Sequence, residues 1–174
     1  MIDPATFKPK TVYVTYIDAS PEAVFDALTQ PEFTRQYFGG FAIDVEQRAG
    51  GAFRMLAPDG GVHIAGTVVE WSRPRRLSCT WIMVSMSQYE LPDCLVTYDI
   101  EPAGGCARLT MTEAHQWDIP DAILSGGRAG WPAILSSLKS VLETGRPLAV
   151  KMEQPTQMLA ALEARRRDRQ SRHG

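Results

Sequence analysis

The feature that most restricts the fold is a run of six strand-like segments between residues 41 and 115, separated by short turns. The turns include Ala49-Gly50-Gly51 and Ala103-Gly104-Gly105, and glycine pairs of this kind are typical of tight reversals. Connections this short leave no room for a helical crossover, so the pattern predicts antiparallel hairpins rather than βαβ units. The six segments are FAIDVEQ, GAFRML, VHIAGTVVEW, RLSCTWIMV, CLVTYDIEP and ARLTMTEAH.

A seventh strand and two short helices precede this run. Residues 11–17, TVYVTYI, are rich in β-branched and aromatic residues and predict the first strand. Ser20 then offers a side-chain cap, and Pro21 suits a first helical turn because the amide that it lacks would have no partner there. A second helix is expected to begin at Pro31 and to end before Gly39.

One longer helix follows the last strand. In WPAILSSLKSVL, from Trp131 to Leu142, apolar residues recur every three or four positions, which predicts a helix with one buried face. Pro132 is interpreted as a first-turn residue and Gly145 as the stop signal. The glycine-rich stretch at residues 125–127 is interpreted as a hinge that would let the preceding segment act as a lid.

These elements predict an α+β protein in the order βααββββββα. An antiparallel sheet of about seven strands with a single long helix must curve around that helix to cover both apolar faces. The expected organisation is an N-terminal extension over residues 1–10, one domain over residues 11–147, and a basic helical extension over residues 148–174.

Alternation along the strands predicts which side chains face the helix, because side chains of a strand point to opposite faces with a period of two. Trp81 and Met83 share one face of their strand, and Tyr98 lies on the corresponding face of the next. On the last strand Met111 has the same parity as the two polar residues Glu113 and His115. We therefore expect a carboxylate and an imidazole on an otherwise apolar face.

Four fragments in this order resemble one protein family. They are DASPEAVFDALTQPEFTRQYF, PRRLSCTW, VTYDIEPAGGCARLTMTEAH and GWPAILSSLKSVLETG. Together they resemble the activator-of-Hsp90-ATPase-like (AHSA1-like) branch of the START/Bet v1-like (SRPBCC) superfamily, the helix-grip domains. The resemblance implies an incomplete β-barrel around the C-terminal helix, often with a cavity for a hydrophobic small molecule. It implies no single activity, since the superfamily includes lipid carriers, hormone receptors and polyketide cyclases.

The favoured hypothesis is binding of a hydrophobic or aromatic small molecule between the curved sheet and the helix. Aromatic and methionine side chains suit such a ligand, although the same residues could simply close the core. A protein-interaction module, chaperone-associated or regulatory, is the alternative. The candidate ligand-binding residues are Trp81, Met83, Tyr98, Met111, Glu113, His115, Trp131, Leu135 and Leu138.

Glu113 is the candidate for catalysis, in a second alternative that makes the protein a cyclase-type or hydrolase-type enzyme. Burial would fit a carboxylic acid for acid or base chemistry. The competing interpretation is structural, with Glu113 paired to an arginine or to water, and His115 as a solvated residue at the rim. No catalytic motif is recognisable, so the sequence favours a protein without enzymatic activity.

Neither a metal nor another cofactor is expected. The three histidines, His63, His115 and His173, have no ligand spacing, and the three cysteines, Cys79, Cys94 and Cys106, form no CxxC pair. The net charge is −2. Residues 165–174 carry five arginines against one aspartate, so subtracting this local +4 leaves −6 for the rest of the chain. An acidic body is a poor surface for nucleic acid.

The chain has no apolar run near the roughly 20 residues needed to cross a bilayer and no secretory signal, so no membrane partner and a cytoplasmic location are expected. In the C-terminal extension, Met158, Leu159 and Leu162 form an apolar stripe on a predicted helix. Three interpretations are open. The helix is solvated and frays, its apolar stripe docks on a second copy to form a homodimer, or its arginine run binds nucleic acid, an anionic surface or an acidic partner.

Overall fold

The computed structural model describes residues 2–151 and 155–172. His173 therefore lies outside the described residues. The strands are β1 (Lys8–Ile17), β2 (Ala42–Val45), β3 (Ala52–Leu56), β4 (Val62–Ser72), β5 (Arg76–Met83), β6 (Cys94–Ala103) and β7 (Cys106–His115). The helices are α1 (Pro21–Thr29), α2 (Pro31–Tyr37), α3 (Asp121–Thr144) and α4 (Thr156–Arg172), and 3₁₀ turns occupy Pro4–Thr6 and Val84–Tyr89.

The seven strands form one antiparallel sheet in the order β1-β7-β6-β5-β4-β3-β2. The predicted α+β helix-grip fold is confirmed, because the sheet curves around the long helix α3. β7 lies between β1 and β6, so its inward-facing side chains have a strand on either side. This position puts Glu113 and His115 well inside the sheet rather than at its edge.

The predicted start of α1 is also confirmed. The backbone N–H of Ala23 donates to Ser20 Oγ at 3.1 Å, and Pro21 is the first helical residue. The side chains of Val24, Phe25 and Leu28 are buried against the sheet. The cap satisfies an amide that would otherwise have no intrahelical partner, which fixes where the helix begins.

The prediction for α3 was correct at its C-terminus and wrong at its N-terminus. Gly145 ends the helix in the left-handed conformation with φ at 73°, as expected for a glycine stop. At the other end the helix begins at Asp121, and it is 24 residues long. Pro132 is therefore an interior residue, and the backbone hydrogen bond that it cannot make is absent from the middle of the helix.

The expected hinge at residues 125–127 was likewise wrong, because these residues are helical. Glycine costs up to about 1 kcal/mol in a helix interior relative to alanine. Tertiary packing offsets this preference: Ile123 and Leu124 before the glycines and Trp131 and Ile134 after them are all buried. A lid that swings on this segment has no support in the structure.

Candidate functional site

A cavity of about 600 Å³ lies between the sheet, α3 and α4. Its volume is within the range of roughly 300–1,000 Å³ that is typical of small-molecule sites. The walls come from several separate parts of the chain, which meet only when the sheet has curved around α3. The lining includes Phe38, Phe41, His63, Ile64, Trp81, Met83, Met86, Leu91, Cys94, Glu113, His115, Trp117, Ile119, Ile123, Gly126, Gly127, Gly130, Trp131, Ile134, Met158 and Leu162.

An aromatic cluster forms one wall of this cavity. The ring centroids of Trp81 and Trp131 are 5.1 Å apart, and Phe38 lies 6.0 Å from Trp81 and 6.4 Å from Trp131. The rings are tilted or perpendicular rather than stacked face to face, which is the arrangement that aromatic quadrupoles favour. The cavity therefore presents both the faces and the edges of large aromatic rings to an occupant.

Glu113 is the charged residue of this wall, and three side chains satisfy it. It is only 7% exposed. Its Oε1 lies 2.8 Å from His115 Nε2, while Oε2 accepts a hydrogen bond from Trp131 Nε1 at 3.1 Å and from the Thr11 hydroxyl at 3.4 Å. A buried carboxylate without partners would cost several kcal/mol. The protein partners are an imidazole, an indole and a hydroxyl rather than the arginine of the structural interpretation.

His115 is buried rather than solvated at the rim, with 6% of its surface exposed. The interpretation as a rim residue was wrong because Trp117, the segment after β5 and α4 cover this end of β7. Its Nδ1 atom is buried and has no hydrogen-bond partner among the residues that the structure describes. One side of the imidazole is therefore paired with Glu113 and the other is unpaired.

Cys94 is the third polar side chain beside this pair. It opposes His115 in the register between β6 and β7, so both residues point to the same face of the sheet. Burial, and next the charge of Glu113, raise the pKa of the Cys94 thiol well above its usual value. The sequence did contain a signal for it, because the alternation that places Tyr98 and Val96 inward also places Cys94 inward, two residues before Val96.

Two glycines of α3 allow other side chains to approach the helix closely. A Cβ atom on Gly127 would lie 2.5 Å from Glu113 Oε2, and one on Gly126 would lie 2.1 Å from Met158 Sδ. A real side chain at either position would force its neighbour to move. These glycines are therefore explained by packing rather than by hinge motion.

Helix α4 closes the cavity from the side of α3. Met158 and Leu162 are buried in a small cluster with Tyr89, Ile123 and Leu124, among others. The Tyr89 hydroxyl donates to Glu163 at 2.8 Å, Arg169 forms an ion pair with Glu90, and the Arg165 guanidinium lies 4.3 Å from the centre of the Trp117 ring. The interpretation of this helix as a solvated, fraying segment was wrong. Met158 and Leu162 of its apolar stripe have partners within the chain, whereas Leu159 is 40% exposed. A homodimer through this helix stays a prediction.

The nine predicted ligand-binding residues divide into two groups. Trp81, Met83, Glu113, His115 and Trp131 line the cavity. Tyr98, Met111, Leu135 and Leu138 are buried in the main core and do not line it. Residues of α4 and of the segment after β5 were not predicted, because no strand or helix pattern links them to the site.

A helix gripped by a curved antiparallel sheet, with a cavity at one end, defines the class of helix-grip domains. The family model described as "Activator of Hsp90 ATPase homolog 1-like protein" matches residues 18–143. The chain therefore belongs to this family, as the resemblance indicated. No curated protein sequence gives a significant match.

Solved structures with the same fold come from several organisms. Protein MLL2253 from Mesorhizobium loti has a TM-score of 0.63 and 25% sequence identity, over 76% of this chain and 97% of that one. CalU16 from Micromonospora echinospora has a TM-score of 0.61 and 18% identity, over 90% and 83% of the two chains. PFC0360w, an HSP90 activator from Plasmodium falciparum, has a TM-score of 0.62 and 19% identity, over 76% and 94%.

No helix within residues 2–151 and 155–172 is both long and apolar enough to span a membrane.

Proposed function

We propose that this protein binds a hydrophobic or aromatic small molecule in the cavity between the sheet, α3 and α4. The observation that carries the proposal is an aromatic cavity of about 600 Å³ with a buried, hydrogen-bonded carboxylate in its wall. Ligand sites typically combine an apolar lining with a few convergent polar groups that fix orientation. Trp81 and Trp131 would contact the flat part of the ligand, and the Glu113–His115 pair would meet a polar group on it.

Gly130 offers a direct test, because it lines the cavity and a Cβ atom there would meet nothing within 4 Å. We expect Gly130→Leu to fill part of the cavity while leaving the helix intact. The probe is the dye ANS (anilinonaphthalene sulfonate), an aromatic compound whose fluorescence rises in apolar surroundings. Wild-type protein should bind it saturably, and Gly130→Leu should weaken binding by about tenfold or more, a loss of about 1.4 kcal/mol.

Ser136→Leu is the matched control, because Ser136 is an exposed residue of the same helix. It should bind ANS as the wild type does. Equal affinity in the wild type and Gly130→Leu would contradict the proposal. As a separate experiment, native mass spectrometry of the purified protein, followed by solvent extraction, would identify any molecule that is retained from the expression host.

A protein-interaction role is the second candidate, and the outer face of β1 favours it. Val12, Val14 and Tyr16 are each about half exposed on this edge strand. An exposed apolar edge is a surface on which another chain can dock. PFC0360w, a protein of the same fold, is an HSP90 activator. Val14→Lys should then reduce binding to an Hsp90-type chaperone or to a second copy in sedimentation experiments, without changing ANS binding.

A catalytic role for Glu113 stays a separate hypothesis. Trp131 and Thr11 both hold its Oε2 atom, and His115 lies at hydrogen-bonding distance from its Oε1 atom, so the pair could exchange a proton with a bound ligand. Glu113→Gln keeps the shape of the side chain and removes the acid. If ligand extracted from the wild type is chemically altered on incubation and Glu113→Gln leaves that turnover unchanged, the hypothesis fails.

A further inference from the structure

Three metal-ligating side chains converge at one end of the cavity. The Cys94 thiol, a carboxylate oxygen of Glu113 and a ring nitrogen of His115 all lie within 4.8 Å of one another. They come from two paired strands: Cys94 opposes His115 across β6 and β7, and Glu113 precedes His115 by two residues on the same face. The sheet therefore holds the three groups together through its register, without help from a flexible loop.

The imidazole supplies an independent reason to expect a ligand. His115 is more than nine-tenths buried, it lines the cavity, and its Nδ1 atom has no partner among the described residues. Buried polar atoms are nearly always paired, so an unpaired one requires an explanation. A metal ion bound at Nδ1 would give that atom a partner, whereas an ion bound at Nε2 would take the place of the hydrogen bond to Glu113 Oε1.

We propose that Cys94, Glu113 and His115 form a binding site for a divalent transition-metal ion, with zinc as the best match. Sulfur, nitrogen and oxygen ligands together suit zinc, whereas magnesium and calcium prefer oxygen alone. A thiolate and a carboxylate balance the charge of the ion, so the complex is neutral overall. Neutrality matters because an uncompensated charge in an apolar cavity is costly.

The surrounding side chains are arranged to support such a site. Trp131 and Thr11 both bond to Oε2 of Glu113, so Oε1 is the atom that would bind an ion. Oε1 lies 2.8 Å from His115 Nε2, and an ion bound to both atoms would replace the hydrogen bond between them. Partners of this kind orient the groups that bind the metal directly. Three protein ligands leave a fourth position of a tetrahedral ion free, and the cavity lies beside it. Zinc sites that bind substrates or water keep a position of this kind.

This inference goes beyond the proposed binding of an apolar ligand and is tested by a different signal. Purified protein, stripped with a chelator, is titrated with Co²⁺, which replaces zinc and gives a thiolate-to-cobalt charge-transfer band when a cysteine binds it. We expect one equivalent of Co²⁺ to produce this band and one equivalent of Zn²⁺ to remove it. ANS binding, measured in parallel without metal, reports on the cavity alone.

Cys94→Ser changes a single atom, so it should fold normally and lose the charge-transfer band. Its Zn²⁺ affinity, measured by competition with a chelating dye, should fall at least about 100-fold, because loss of even an outer-shell partner costs roughly 10–100-fold. Glu113→Gln and His115→Phe should also weaken binding, with folding checked by circular dichroism.

Cys106→Ser is the control, because Cys106 lies at the turn between β6 and β7, outside the cavity. It should keep both the charge-transfer band and the affinity. Absence of a band in the wild type, or a band that survives Cys94→Ser, would overturn the metal site. Either result would leave ANS binding, and therefore the apolar ligand proposal, unaffected.

Discussion

At the scale of single residues, the cavity wall depends on how closely Glu113 approaches α3. Only a glycine at position 127 leaves room for the carboxylate, since a Cβ atom there would lie 2.5 Å from Oε2. The same oxygen accepts the indole hydrogen bond of Trp131. A side chain at position 127 that displaces Glu113 should therefore also break the hydrogen bond between Glu113 and Trp131.

Two alanine substitutions in α3 should have opposite effects on stability. Gly130→Ala adds a methyl group to open space, so the free energy of unfolding should rise by about 0.5–1 kcal/mol. Gly127→Ala should lower it, because displacing Glu113 breaks buried hydrogen bonds at a cost of about 1–3 kcal/mol. Urea denaturation of both variants measures the difference. Equal stabilisation by the two changes would mean that Glu113 is not held against the helix.

The three cysteines should react with iodoacetamide at very different rates. Only the thiolate reacts, and burial raises the pKa of both Cys79 and Cys94, so both thiols stay protonated at neutral pH. Cys94 and Cys106 are both partly exposed, but Cys106 lies outside the cavity at the turn between β6 and β7 and should be modified first. Cys94 should react more slowly than Cys106, at a rate that increases with pH. Cys79 should react only when the protein unfolds. Peptide mass spectrometry gives the order, and a cavity ligand should protect Cys94 alone.

Strand alternation predicted which residues of β7 point inward, since the period of two is a geometric property of any strand. Glu113 and His115 are both buried on the predicted face. The partners of Glu113 could not be predicted, because Thr11 and Trp131 are distant in sequence and local patterns carry no information on such contacts. For the same reason, Tyr98 and Met111 were expected beside a ligand and lie in the core.

At the scale of elements, α3 shows where local preference and tertiary packing disagree. Three glycines and a proline between residues 126 and 132 predict a break, yet the helix continues through them. The apolar stripe was visible in the sequence only from Trp131 onward. Ile123 and Leu124 also lie on a buried side of α3, but they contact α4 and the segment after β5 rather than the main core.

Helix α4 should undock from α3 when the packing of its buried apolar residues is weakened. Leu162 is fully buried, and an ordinary core Leu→Ala change costs about 2–5 kcal/mol. Because α4 packs as a peripheral element, we expect Leu162→Ala to increase hydrogen exchange in α4 and to leave the sheet unchanged. Leu159→Ala is the control, since Leu159 is 40% exposed on the same helix.

The same variant tests whether α4 belongs to the binding site. Met158 and Leu162 line the cavity, so undocking α4 should also weaken ANS binding, by an amount that Leu159→Ala does not reproduce. If Leu162→Ala binds the dye as tightly as the wild type, α4 is not needed to close the cavity. Hydrogen exchange and dye titration on one sample separate the two effects.

At the scale of the whole molecule, the architecture was the most predictable level. Short turns require antiparallel pairing, and seven strands with one long helix leave few ways to bury both apolar faces. The order of elements was therefore correct to the end of α3, although the strand boundaries moved by a few residues. The docking of α4 was not predictable, because no turn or repeat fixes its position relative to α3.

Ligand binding should stabilise the domain as a unit. A ligand that binds only the folded state at 100 times its dissociation constant adds about 2.7 kcal/mol to the free energy of unfolding. At the same ANS concentration a site that binds tenfold more weakly gains only about 1.4 kcal/mol. We therefore expect ANS to raise the melting temperature of the wild type clearly more than that of Gly130→Leu, as measured by calorimetry. An equal rise in both proteins would indicate that the dye binds outside the cavity.

The close approach of Glu113 to Gly127 has a consequence for how sequences of this family diverge. A bulkier residue at position 127 occupies the volume that the carboxylate needs, so the two positions should change together rather than independently. Relatives that carry alanine or serine at the position of Gly127 are expected to have a shorter or apolar residue at the position of Glu113. Paired substitution at these two sites would then distinguish the members that retain a buried acid from those that have lost it.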